Sequence, residues 1–136
     1  MRLTSFTDYG MRALMRLAGT PERRFSTEEI ASEFGISRNH LTKVIRRLAE
    51  AGYVITHRGT GGGFQLADSP DQVSIGSVIR LLEDHQPLVE CFQADGGTCI
   101  LTPNCRLKSK LASAREAFMA ELDKTTLAEC AYPSNR

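Results

Sequence analysis

The sequence predicts a mainly α-helical chain carrying one small β-hairpin. Three observations carry that expectation. Apolar residues recur with helical spacing in five segments, a single pair of short strand-like runs flanks a glycine-rich turn, and the second half contains a long helix whose apolar seam has no evident partner. At 136 residues the chain forms one ordinary domain, or one small domain with an appendage that cannot stand alone.

Residues 5 to 18 are expected to form the first helix. Tyr9, Ala13, Leu14 and Leu17 share a face, Ser5 and Asp8 give an S-x-x-D start signal, and Gly19 with Pro21 stops it. A short second helix comes next. Ser26 and Glu29 have capping-box spacing, Ile30, Ala31 and Phe34 supply the apolar side, and Gly35 closes it. Ser37 caps a third helix in which Leu41, Val44, Ile45 and Leu48 sit at i, i+3, i+4 and i+7. Its opposite face is polar: Arg38, Asn39, His40, Thr42, Lys43, Arg46 and Arg47.

Two helices joined by a short turn containing Gly, the second with Arg, Asn, His and Lys near its amino end, match a helix-turn-helix. The residue chemistry suits a major groove. Arg38 can donate a fork to guanine, Asn39 can pair with adenine, His40 lies beside them, and Lys43 and Arg46 can neutralise phosphates. The same face taken alone also fits an amphipathic helix whose charges are merely solvated. Residues 52 to 67 discriminate between the two. Gly52 ends the helix, Tyr53–His57 and Phe64–Ala67 read as two short strands, and Arg58 to Gly63, RGTGGG, form the turn between them. A helix-turn-helix with a hairpin directly after it is a winged helix, with Arg58 and Gly59 at the wing tip beside a minor groove. No Lys-Ser/Thr and no helix come after the glycines, which excludes a phosphate-binding P-loop.

Asp68-Ser69-Pro70 is a linker, dividing a winged helix-turn-helix region at 1–67 from a second region at 68–136. Ser74 caps a helix with Ile75, Val78, Ile79 and Leu82 on one face, running to about Asp84. After Pro103 a long helix places Leu107, Leu111, Ala114, Phe118 and Leu122 at spacings of four, three, four and four, a seam suited to a partner helix and hence to dimerisation. Thr126 and Glu129 have the spacing of a last capping box.

Between those helices lies the most chemically loaded stretch, CFQADGGTCILTPNC, with Cys91, Cys99 and Cys105 in fifteen residues. Its Gly, Thr, Asp, Asn and Pro content and lack of period make it a loop. Three soft thiolates on a loop fit an iron-sulfur cluster or zinc, and three unrelated thiols remain the simplest alternative. Gaps of seven and five residues are too wide for a zinc knuckle and acceptable for a cluster. Three ligands are one short of four. Cys130 lies outside this loop and reads as an incidental thiol, and His57 and His85 have no ligand or catalytic constellation at motif spacing.

The net charge of +1 hides an asymmetry, +4 over residues 1–63 and −3 over 64–136, a weak electrostatic footprint for nucleic acid on the front half. The first residues lack a signal-peptide core and no apolar run approaches a bilayer span, so a cytoplasmic location is expected. Thiols stay reduced there, which favours metal ligation over disulfides.

Taken together, LTSFTDYG (Leu3 to Gly10), SRNHLTKVI (Ser37 to Ile45), AGYV (Ala51 to Val54), the RGxxGG turn, the three cysteines, TPNCRLK (Thr102 to Lys108) and ELDKTTLA (Glu121 to Ala128) resemble the bacterial winged-helix regulators that carry an iron-sulfur cluster, in particular their nitric-oxide-sensing repressors. The resemblance covers residues 1 to about 130. It implies a homodimer with crossed long helices, a palindromic double-stranded operator, and repression that ends when nitric oxide reacts with the cluster. It also implies a [4Fe-4S] cluster whose fourth ligand, matching Asp8 here, comes from across the dimer interface. In a related [2Fe-2S] branch a histidine three residues past the last cysteine completes the site; here that residue is Lys108, which disfavours that cluster type. The seven-residue first gap is wider than usual for nitric-oxide sensors and also occurs in iron-responsive members, so an iron or cluster-status regulator is the alternative. Gln65 stands where the wing strand often has a basic residue, and the tail is short.

Other function classes fare worse on the same residues. An electron-transfer or enzyme subunit would leave the wing unexplained, and no catalytic constellation accompanies the cysteines, so no enzymatic activity is expected. A regulator without a cluster, using the cysteines as redox thiols or for zinc, keeps the wing and differs only in what the loop holds.

Overall fold

In a computed structural model, which describes residues 1–133, the chain runs α1 (Ser5–Gly19), α2 (Thr27–Phe34), α3 (Arg38–Glu50), β1 (Val54–His57), β2 (Gly63–Leu66), α4 (Ile75–Leu82) and α5 (Arg106–Asp123). Short 3-10 turns occupy Pro70–Gln72, Glu90–Phe92, Thr102–Asn104 and Leu127–Cys130. This is the mainly α architecture with one antiparallel hairpin that the sequence predicts.

The caps differ in detail. Thr4, not Ser5, caps α1: its hydroxyl accepts from the Thr7 N–H, and its own N–H donates to buried Glu83 at 2.6 Å. Asp8 is therefore not part of the start signal. Ser26 accepts from the Glu29 N–H as expected, but the Glu29 carboxylate turns to Arg23 at 3.1 Å instead of closing the box. The helix after Ser74 stops at Leu82, two residues early, because Glu83 turns inward to Thr4 and Asp84 reaches Arg47 on α3. The long helix begins at Arg106, since Thr102–Asn104 makes a separate 3-10 turn, and the complete Thr126/Glu129 capping box opens a 3-10 turn rather than an α-helix.

Strand register is Val54↔Leu66, Ile55↔Gln65, Thr56↔Phe64 and His57↔Gly63. A third short segment joins it. Phe25 exchanges backbone hydrogen bonds with Phe64, 2.9 and 2.8 Å, which fixes the chain between α1 and α2 against the hairpin. Nothing in the alternation of residues 20–26 signals that pairing.

One core unites the chain. Leu14 and Leu17 of α1, Phe25, Ile30 of α2, Leu41, Val44 and Leu48 of α3, Val78 of α4 and Leu127 are fully buried together. Packing thus does not divide at residue 67. The return segment is sewn in by backbone bonds from Ile75 to Thr125, Leu127 to Val73 and Tyr132 to Met15, at 2.8 to 2.9 Å. Arg80 on α4 holds α5 through Asp123 at 3.0 Å and Glu116 at 3.4 Å. Among the described residues no helix is long and apolar enough to cross a membrane.

Candidate DNA-contact surface and cysteine loop

Helix α3 buries Leu41, Val44, Ile45 and Leu48, and that single choice of face determines what it offers outward. Ser37 caps it, accepting from the His40 N–H at 3.3 Å. Arg38, Asn39, Lys43 and Arg46 are exposed. His40 is half-buried, its ring edge-on to Tyr9 with centroids 4.9 Å apart and 6.1 Å from Phe6, so it also packs α3 against α1. Arg47 points away from this surface, to Asp84 at 3.1 Å.

Ion pairing sorts the cations of residues 1–67. Arg12, Arg16, Arg23 and Arg47 are paired with carboxylates, whereas among the described residues Arg24, Arg38, Lys43, Arg46 and Arg58, together with Arg2, have no ion pair. Apart from Arg2, every unpaired cation of residues 1–67 lies on α3's outer face or at the hairpin. Such charges retain their full field for a polyanion. The hairpin turn that holds Arg58 and Gly59 is exposed, and its glycines Gly59 and Gly61, with Gly63 at the start of β2, have φ of 84, 75 and 126°. A side chain would strain each of these positions.

The cysteine loop is held differently. Between Pro87 and Cys105 its backbone hydrogen bonds are local, such as Phe92 to Val89, Gly96 to Gln93 and Thr102 to Cys99. Glu90 closes the wide first gap: its carboxylate accepts from both the N–H and the hydroxyl of Thr98, at 3.2 and 2.9 Å, and a Cβ on Gly97 would meet Glu90 atoms at 2.7 and 2.8 Å. Cys91 and Cys99 each directly follow one member of that clasp, which spacing alone does not reveal. All four cysteines are free, with Cys99 exposed and Cys91 and Cys105 half-buried. Cys130 differs, for burial and then the neighbouring Glu129 push its thiol pKa up, which disfavours the thiolate.

Among the described residues no three His, Cys, Asp or Glu side chains converge to hold a metal ion, so Cys91, Cys99, Cys105 and Asp8 are not gathered about one point within this chain. Asp8 sits in the first turn of α1, exposed, with both carboxylate oxygens taken by Arg12 at 3.0 and 2.9 Å. The donor set still fits an iron-sulfur cluster. It offers three reduced thiols on one loop that is tied mainly to itself, and leaves a fourth position to another chain or an external group.

Along α5 the predicted seam splits. Met119, outside that seam, is buried, and Leu122 packs against the chain's own core. Leu107 and Phe118 are 60 and 36% exposed, Ala114 is exposed and Leu111 half-buried. Ile100 and Leu101, between the last two cysteines, are also exposed at 92 and 65%. A groove lined by Leu3, Pro87, Leu88, Leu111 and Phe118 continues the uncovered stripe.

A family model described as "Rrf2: Iron-dependent Transcriptional regulator" matches residues 3–132. The HTH-type transcriptional regulator NsrR of Bacillus subtilis is 46% identical over 128 residues, 93% of this chain and 88% of its relative, and that of Geobacillus kaustophilus is 44% identical over 130 residues, 95 and 88% of the two chains. Among solved structures, CymR, the global cysteine regulator of B. subtilis, superposes with a TM-score of 0.75 at 28% identity, covering 96% of each chain. IscR of T. potens gives 0.72 at 26%, covering 94% of this chain and 84% of that one.

Proposed function

Because the chain belongs to the Rrf2 family of transcriptional regulators, we propose that it is a repressor that binds a palindromic operator as a homodimer and senses nitric oxide through a [4Fe-4S] cluster. Arg38 and Asn39 read base edges, His40 packs the reading helix and borders the groove, Lys43 and Arg46 bind phosphates, and Arg58 with Gly59 enters the minor groove. Cys91, Cys99 and Cys105 hold the cluster, with Asp8 of the second subunit as the fourth ligand. The single observation that carries the reading is that within residues 1–67, Arg2 aside, the cations without an ion pair lie on α3 and at the hairpin, on a chain whose free thiols lie in a separate loop of mainly local bonds.

A bound cluster supplies irons that react with nitric oxide. The protein's part is mechanical. Held by one cluster, the three thiolates would cross-link a loop that otherwise has chiefly local bonds and that follows Glu83 and Asp84, which contact α1 and α3. Release of that constraint would shift the two reading helices relative to successive major grooves about 34 Å apart. A full switch needs roughly 5.5 kcal/mol of differential DNA affinity.

The family description favours a second reading, a regulator of the same build that answers to iron or cluster status. Anaerobic purification and then operator retardation test both. Protein with about four irons per chain that releases DNA on adding nitric oxide supports the first. Release only on iron chelation supports the second, and iron-free protein with unchanged DNA binding sinks both.

A further inference from the structure

The wing strand carries Gln65 where a basic residue would be useful, yet the hairpin is not short of charge. Arg24, exposed and thirty-seven to forty-one positions away in sequence, lies against it: Nε donates to Gln65 Oε1 and Nη1 to the Gly61 carbonyl, each at 3.2 Å. Its placement is enforced from both sides. Phe25 next to it is locked to Phe64 by two backbone bonds and is fully buried, with the guanidiniums of Arg16 and Arg23 at 4.7 and 4.1 Å from its ring centroid. Gly63 permits the approach, since a Cβ there would come within 2.5 Å of the Phe25 carbonyl. Arg23 is spent on Glu29 and Phe25, but Arg24 has no carboxylate partner and its Nη2 has no protein acceptor among the described residues.

We propose that Arg24 is the wing's second cation, bracing the turn through Gly61 while its free guanidinium edge binds a phosphate of duplex DNA beside the wing. The proposal rests on the reading of α3 and the hairpin as the DNA face. A guanidinium suits both tasks, because its five donors in a fixed fork serve a carbonyl and an amide on one side and a phosphate on the other. A lysine could supply the charge but not the brace. Arg24 thereby replaces, from a distant part of the chain, the charge missing at Gln65.

The test uses the full chain, purified anaerobically, and a duplex selected by the wild-type protein from a random pool. Affinity is measured across a salt series for wild type, Arg24→Ala, Arg24→Lys, Arg38→Ala and Arg58→Ala. Loss of one phosphate contact lowers the slope of log K against log salt by about 0.9, which at 0.1 M salt amounts to about eightfold in affinity. Arg24→Ala is expected to show that loss on selected and unselected duplex alike, and Arg24→Lys to keep the slope while losing part of the affinity. If Arg24→Ala keeps the wild-type slope while Arg38→Ala and Arg58→Ala weaken binding, Arg24 touches no phosphate and the inference is overturned with the DNA face intact. Wild-type binding by both Arg38→Ala and Arg58→Ala would overturn the DNA face itself. Thermal melting of each variant guards against misfolding, and because Arg24 is exposed, Arg24→Lys should melt with wild type.

Discussion

Replacing Asp8 with Ala separates the structural role of its carboxylate from the proposed ligand role, and the structure allows the first to be sized. Thr4 makes the helix cap, so the substitution leaves the Thr7 N–H satisfied and incurs no capping loss. What disappears in the monomer is the pair with Arg12, whose partners are 43 and 48% exposed, and a favourable charge in the first helical turn. An exposed i,i+4 pair is worth about 0.3–0.5 kcal/mol and the helix-dipole contribution about 0.3–1 kcal/mol. The apoprotein should therefore lose about 1 kcal/mol and melt roughly 3–4 °C lower, as expected for a chain of this size. The cluster-loaded protein should change far more. With three thiolates retained it still assembles, but iron and sulfide content should decay faster under an anaerobic chelator challenge, and Asp8→Cys should decay more slowly and answer nitric oxide more slowly. Arg12 occupies both oxygens and so competes with iron for the same group. Arg12→Ala should accordingly retain iron at least as well as wild type despite its weaker fold. Equal iron lifetimes in wild type and Asp8→Ala would refute Asp8 as a ligand, and an apoprotein melting drop far beyond about 4 °C would refute the account of its structural role.

The same surfaces carry further expectations. Arg38→Ala and Asn39→Ala should each weaken operator binding by about 1–3 kcal/mol and relax base preference in a binding-site selection, whereas Lys43→Ala should weaken all duplexes alike and lower the salt slope by about one; equal losses on random DNA for the first two would leave them phosphate contacts only. Charged residues at Leu111 and Phe118 should give a monomer or an aggregate in sedimentation, and a stable dimer would put the interface elsewhere. Cys91→Ala, Cys99→Ala and Cys105→Ala should each abolish iron retention and specific DNA binding, while Cys130→Ala does neither, as read by iron content and gel retardation. Leu127→Ala, at a fully buried position, should cost about 2–5 kcal/mol in urea unfolding, because Leu127 joins the return segment to α1 and the surroundings can collapse only in part.

The fold was legible where local chemistry decides it. Ser37, Ser74 and the Thr126/Glu129 pair cap what their spacing says they cap, and the four apolar positions of α3 are buried because a 3.6-residue period sorts a helix into faces before any tertiary contact forms. Helix ends were less legible. Thr4 outcompetes Ser5 as the cap of α1, and the box expected at Glu29 opens because Arg23 takes its carboxylate. Each outcome is a contest between hydrogen bonds of similar strength, settled by a neighbour that spacing does not reveal. The third segment of the sheet, Phe25 against Phe64, was invisible for a stronger reason: a pairing across thirty-nine residues leaves no local period.

The candidate site divides along the same line. Cysteines and the polar face of α3 announce themselves by residue type and register, but the bonds that tie the wing turn and the root of the cysteine loop to the rest of the fold span the chain: Arg24 to the Gly61 carbonyl, the Thr4 N–H to Glu83, Arg47 to Asp84. The last two have adjacent origins. Glu83 is buried and bonded to the start of α1, and Asp84 is bonded to the last turn of α3, so the two residues that precede the cysteine loop are fastened to two of the helices that frame the candidate DNA-contact surface. A charge-assisted bond of 2.6 Å from a buried carboxylate is the firmer anchor, and the half-exposed Arg47–Asp84 pair at 3.1 Å is the weaker one. A displacement of the loop root is therefore borne first by the Asp84–Arg47 contact while the Glu83–Thr4 bond holds, and its effect on α3 falls on the last turn, because Leu41, Val44 and Leu48 keep the rest of that helix in the core.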